Sequence, residues 1–157
     1  MERAERRILD LIHYLSEARR LEQQGEVIEA IWCYDTILKD PFVGQDPPTL
    51  QAAGLGLGQL LISEVQVSDD KDRIGRLLNR AIQALGLAHR SDQNDPQIAL
   101  VLAEAHGERF RHKNQSADVL AVNLLLDRMG TPPELQDRIA TLRSRSTRPP
   151  TALSRQG

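Results

Sequence analysis

The stretch "LQAAGLGLGQLLISE", Leu50–Glu64, places glycines at three alternate positions, Gly54, Gly56 and Gly58. Read as a phosphate-cradling loop, it makes the chain an α/β nucleotide-binding protein; read as one helix, it makes the chain all-helical. A phosphate loop needs a strand before it and the free N–H groups of a helix start after it. Here "DPPTLQAA", Asp46–Ala53, already has the Pro-headed form of a helix start. No Gly-Lys-Ser/Thr follows, the next lysine being Lys71, and Leu61 stands where a dinucleotide fingerprint wants its third glycine. The phosphate loop is rejected. Three glycines cost a helix about 3 kcal/mol relative to alanine, so a close helix crossing must offset them. Gly54 and Gly58, four residues apart, share the face on which that crossing is expected.

Outward from this helix, apolar periodicity predicts six more, over about residues 3–24, 26–39, 71–89, 96–112, 115–129 and 132–145, with the glycine helix itself at about 48–66. Ile8, Leu11, Ile12, Leu15, Ala18 and Leu21 form the stripe of the first; Val27, Ala30, Ile31, Tyr34, Ile37 and Leu38 that of the second. Gly25 and Gly130 supply stops, and "DPFVGQDPPT", "VSDDKD", "RSDQNDP" and "TPPE" supply breaks and new starts. No segment reads as a strand.

Composition agrees. Aromatics make up only 3% of the 157 residues, so the core is built of Leu, Ile, Val and Ala, a mixture that suits helices. The lone Cys33 leaves no internal disulfide and no cysteine-based zinc site. No apolar run reaches the roughly 18–20 residues of a membrane span, and "MERAERRILD" lacks the apolar segment of a signal peptide. A soluble, cytoplasmic protein is expected. The net charge of −2 is uneven: residues 132–157 carry five arginines against Glu134 and Asp137. Residues 1–145 are expected to form the folded unit. Residues 146–157, rich in Arg, Pro and Ser, bury too little apolar surface to order and are expected to be a disordered tail.

Helices joined by short turns, in pairs separated by Asp-Pro or Pro-Pro, suggest a stacked array. The stretch "GEVIEAIWCYDTILKDP", Gly25–Pro41, resembles the second half of a tetratricopeptide repeat, with Gly25 at the turn, Ala30 at the small position and Tyr34 at the aromatic one. Asp40-Pro41 closes the unit one residue early. Upstream, Tyr14, Ala18 and Leu21 take the large, small and large places of a first helix. Leu57-Gly58 and Leu61, then Leu102-Ala103 and His106, fall at the corresponding places of two further first helices. Ala81-Ile82, and Ala117, Ala121 and Leu124-Leu125, fall in their second helices. The resemblance spans about residues 8–145 and weakens after the first unit. It implies an all-α fold of antiparallel hairpins, about three pairs plus a capping helix, whose first helices line a concave surface suited to a segment of another protein.

The sequence carries no recognisable catalytic or metal-binding constellation. In "EAHGERFRH" Glu104, Glu108 and His112 share a face while His106 points elsewhere, which reads as an exposed charge ladder rather than a metal site. His13 and His89 stand alone. Cys33 lies mid-helix and reads as packing. No nucleophile, base and orienting group recur at a recognisable spacing, so neither catalytic residues nor a cofactor are expected. The basic clusters "RFRHK" and "RSRSTR" have Phe110 as their one interleaved aromatic, in a chain of net negative charge. They read as a solvated helix end and tail, not as a nucleic-acid stripe.

The resemblance implies a non-enzymatic interaction protein: an adaptor, an assembly factor or a complex subunit. A small secretion chaperone of about three repeats is the alternative within binding, and a nucleic-acid regulator acting through the tail the alternative outside it; self-association is left open. Trp32 lies off the apolar face of its helix and is the leading contact residue, with Tyr14, Arg19 and Arg109 as the other candidates. Related arrays that take acidic C-terminal peptides use a Lys/Asn clamp. Leu15, Arg19, Leu100 and Glu104 occupy the matching places here and do not supply it.

Overall fold

Gly25, at φ +77°, does what its place in the sequence requires. The N–H of Glu26 donates to the carbonyl of Leu21 at 2.9 Å and that of Gly25 to Glu22 at 3.1 Å, the two bonds of a Schellman stop. It ends α1 (Arg3–Gln23) and turns the chain into α2 (Val27–Lys39). The computed structural model describes residues 2–146, and apart from Ser146 the tail expected to be disordered lies outside them. A 3₁₀ turn, Val43–Gln45, leads to α3 (Pro47–Val67), headed by Pro47-Pro48 where no N–H is needed. Asp70 caps α4 (Lys71–Ser91) by accepting from the N–H groups of Asp72 and Arg73. Asp95 caps α5 (Pro96–Lys113) in the same way through Gln97 and Ile98. Asn114, in the left-handed region, ends α5, and Gly130, at φ +74°, follows α6 (Ser116–Met129). A 3₁₀ turn, Pro133–Leu135, then starts α7 (Gln136–Ser146). The protein is all-α, and no strand occurs among the described residues.

The helices pack in sequence as hairpins, α1 on α2, α3 on α4 and α5 on α6, with α7 against α5 and α6. The first helices also meet one another, α1 with α3, α3 with α5 and α5 with α7. The most extensive of these interfaces is α3 with α4, and the glycines make it. A Cβ on Gly54 would lie 2.7 Å from the Ala84 carbonyl oxygen and 2.8 Å from the Ala88 Cβ; on Gly58 it would overlap the Leu85 side chain. Gly56 faces the other way, where a Cβ would lie 2.8 Å from the Tyr34 ring. The whole stretch is thus a helix cut flat for two neighbours.

The principal core runs through the first two hairpins and takes Val101, Leu102 and Ala105 of α5 as its far wall. A smaller one, built from Leu100, Ala103, Val122, Leu126, Ile139 and Leu142, joins α5, α6 and α7. Between two cores, α5 is buried on both sides. Asp40 is buried too, accepting from the Phe42 N–H at 2.8 Å and from the Arg7 guanidinium, so it ties the end of the first hairpin to its beginning.

Two expectations about faces need correction. Ile12, placed in the α1 stripe, is 43% exposed, and the buried line is Leu11, Leu15 and Ala18. In α6 the residues turned inward are Asp118, Val122 and Leu126, while Ala117 is exposed and Leu124 is 61% exposed. The helix is rotated by one residue, about 100°, from the face that its alanines suggest. This rotation carries Val122 and Leu126 into the smaller core and Asp118 onto two partners from α5.

Candidate functional site

Side chains three and four apart on a helix project from one face. On α3 these are Gln59, Ser63 and Gln66; on α5, Glu104, Glu108 and Arg111; on α7, Arg138, Thr141 and Arg145. Because α3, α5 and α7 lie side by side, the three rows face a common groove of about 450 Å³. Its floor includes Val101 and Leu142. Its charges are largely answered from within: Arg138 binds both carboxylate oxygens of Glu104, and Glu108 takes Arg111 at 3.0 Å and His112 at 3.6 Å. The carboxylates expected to form an exposed ladder therefore face this groove, in ion pairs. The arrangement offers amide, hydroxyl and paired charged groups over a partly apolar floor, which suits an extended polypeptide more than a compact polyanion.

The four candidate contact residues lie elsewhere. Tyr14 and Trp32 meet edge to face, ring centroids 6.4 Å apart at 74°, on the first hairpin. Tyr14 is half-buried and Trp32 is 60% exposed. Arg19 is exposed on the same hairpin. Arg109 is separate from them, on α5, and turned inward. Its Nε and Nη2 donate to Asp118 at 3.0 and 2.8 Å, and its Nη1 to Asn79 at 3.1 Å. That guanidinium links α4, α5 and α6. None of the four lines the groove.

Asp118 is the residue that sequence reasoning missed. It is fully buried. Burial alone would push its carboxyl up, but hydrogen bonds from Arg109 and His106 outweigh that and hold it below the usual carboxylate range. An ionised carboxylate only accepts, so the His106 Nδ1, 2.8 Å away, carries the proton it shares with Asp118. An oriented His–Asp pair invites a catalytic reading, yet the carboxylate is also neutralised by Arg109, and the one cysteine, Cys33, is buried on α2 with its thiol pushed up by that burial. The cluster works as an interhelical clamp. Its only trace in the sequence is the three-residue step from His106 to Arg109, which puts both on the α5 face toward α6.

Among the described residues no group of His, Cys, Asp and Glu is placed to hold a metal ion, and no helix is long and apolar enough to cross a membrane. The chain matches no family model, no curated protein and no solved structure.

Proposed function

We propose that this chain is a non-enzymatic protein-interaction module of tetratricopeptide-like design, an adaptor, assembly factor or complex subunit that takes a segment of another protein against its first helices. The observation that carries the reading is the succession of first helices, α1 to α3 to α5 to α7, which leaves a groove of about 450 Å³ between α3, α5 and α7. An open, elongated surface made by rigid helices and lined with amide, hydroxyl and charged groups is the form in which stacked hairpins receive polypeptide. The cytoplasm, where an unpaired thiol such as Cys33 stays reduced, is the compartment this reading assumes.

The test fills the groove. Ser63 and Thr141 are exposed on its two walls, and a tryptophan at either occupies the space without entering the core. The intact chain should retain a defined protein from a lysate of its host, and Ser63→Trp and Thr141→Trp should lose it while their melting curves stay unchanged. Retention of the same proteins by all three forms, or of none by the intact chain, overturns the proposal.

A further inference from the structure

Along one side of α4 stand Arg73, Arg76, Arg80 and Arg90, in a protein whose net charge is −2. Their spacing keeps them within about a third of the helix circumference. Across from them α2 presents aliphatic side chains, and two depressions that share Arg80 follow the cleft, here called the α2–α4 seam, that separates the two helices, the larger lined also by Leu57 of α3 and by Leu102 and His106 of α5. One, of about 340 Å³, lies between Ile28, Ile31, Arg73, Arg76 and Leu77. The other, of about 830 Å³, lies between Leu38, Lys39, Ile82, Leu87 and Arg90. Ile28 is 80% exposed. Asp35 is the one carboxylate lining either depression, and Arg80 takes it. Arg73 sits 3.9 Å from Glu64. Lys39, Arg76 and Arg90 have no ion pair among the described residues.

Gly86 lies in the wall of the larger depression, in mid-helix. At Gly54, Gly56, Gly58 and Gly75 a Cβ would come within 2.8 Å of the protein's own atoms. At Gly86 it would meet only the Arg90 Nη1, at 3.7 Å, and the backbone is ordinary helix. A mid-helix glycine is unfavourable, and at Gly86 no contact among the described residues offsets it. What remains is room for the close approach of something from outside.

We propose that the α2–α4 seam is a second docking site, for an acidic amphipathic segment of a partner protein. Its apolar residues lie over Ile31, Leu38 and Leu87, its backbone passes Gly86, and its carboxylates reach Arg76, Arg90 and Lys39. Charge complementarity selects this occupant: an apolar floor under unpaired cations is matched by aliphatic side chains interleaved with Asp and Glu. From Arg73 to Arg90 the seam runs about 25 Å, the length of a helix of about 17 residues. Single-stranded nucleic acid would want aromatic platforms for its bases, and aliphatic residues line this floor. The seam shares no lining residue with the α3–α5–α7 groove, so the two proposals stand or fall separately.

The test is selection of random peptides of about 17 residues displayed on phage against the full chain, followed by fluorescence-anisotropy titration of synthetic winners. The expected winners carry Asp or Glu and Leu, Ile or Phe at helical spacing. They bind Lys39→Glu/Arg76→Glu/Arg90→Glu about tenfold more weakly or worse at about 0.15 M salt, and bind Ser63→Trp unchanged. Gly86→Leu should melt at a higher temperature than the parent and still lose affinity, which separates a blocked site from a damaged fold. No enrichment, winners lacking acidic residues, equal binding of scrambled peptides, or affinities indifferent to both the charge reversals and Gly86→Leu would each overturn the proposal. So would a single-stranded oligonucleotide that binds more tightly than every peptide and loses affinity with the same charges.

Discussion

The Cβ that Gly58 lacks would fall inside the volume held by the Leu85 side chain, which is itself fully buried. The contact between α3 and α4 therefore depends on an absent methyl group. Gly58→Leu should overpack this crossing and cost about 1–3 kcal/mol or more. Gly54→Ala should also destabilise, by about 1–2 kcal/mol, although alanine is the better helix former by about 1 kcal/mol, because it meets the Ala84 backbone. Urea melts of the two variants check this, and a gain in stability for either would mean the crossing is not as close as described.

Asp118→Asn removes the charge that Arg109 and His106 share. The variant should lose about 3 kcal/mol at neutral pH, since the Arg109 guanidinium is left without its counter-ion. The pH dependence carries a sign. The folded carboxyl titrates below its unfolded value, so its contribution is full above the unfolded value near 3.8 and disappears as pH falls through the depressed one. Stability measured from pH 7 down to about pH 2 should show that decline in the parent and lack it in Asp118→Asn.

His89 acts at milder acidity. Burial, with help from Arg128, pushes its imidazole below the usual histidine range, and its buried Nδ1 has no hydrogen-bond partner among the described residues. The unfolded chain then binds the proton more readily than the folded one, so stability falls as pH drops below about 6.5. The imidazole resonance of His89 should titrate at lower pH in the folded chain than in the urea-unfolded chain, and His89→Leu should flatten the stability profile between about pH 7 and 5. Identical titration of His89 in the folded and unfolded chains would contradict the burial.

Trp32 is the only tryptophan and reports its own exposure. Its emission should be that of a solvated indole, readily quenched by iodide. Trp32→Ala should change stability by no more than about 1 kcal/mol, the worth of its edge contact with Tyr14. A blue shift on adding a partner would place the first hairpin within the bound surface.

Neutralising Arg148 and Arg155, while sparing Arg145 because it lines the groove, should leave protein binding intact. Gel-shift titration with DNA and RNA should show no micromolar complex at about 0.15 M salt, because the rest of the chain carries net negative charge and repels a polyanion. Tight shifts that vanish with those arginines would move the function to the C-terminal segment.

Much of the helical layout was legible. Gly25, Asp70, Asp95 and the Pro47-Pro48 head act on their own neighbours, and local hydrogen bonding needs no knowledge of the fold. The same holds for the reading of Gly54 and Gly58, since rejecting a phosphate loop and sharing a helix face are both local arguments. The site was less legible. Trp32 lies off its apolar face, but Arg109, which the run "RFRHK" assigns to a solvated helix end, is committed to a buried carboxylate on the next helix. The arginines of α4, at steps of three, four and ten, form no run in the sequence.

The sequence by itself determined where helices begin and end, and which one had to be thin enough for close approach. Those outcomes rest on 3.6-residue periodicity, on caps and on the missing Cβ, all set within a few residues. Only the tertiary structure decided how α6 is rotated, that Asp118 is buried, and that the arginines of α4 border an apolar seam with α2. Each of these depends on groups contributed by a second or third helix. A charge enters a core when partners from elsewhere in the chain compensate its lost hydration, and periodicity along one helix carries no record of them.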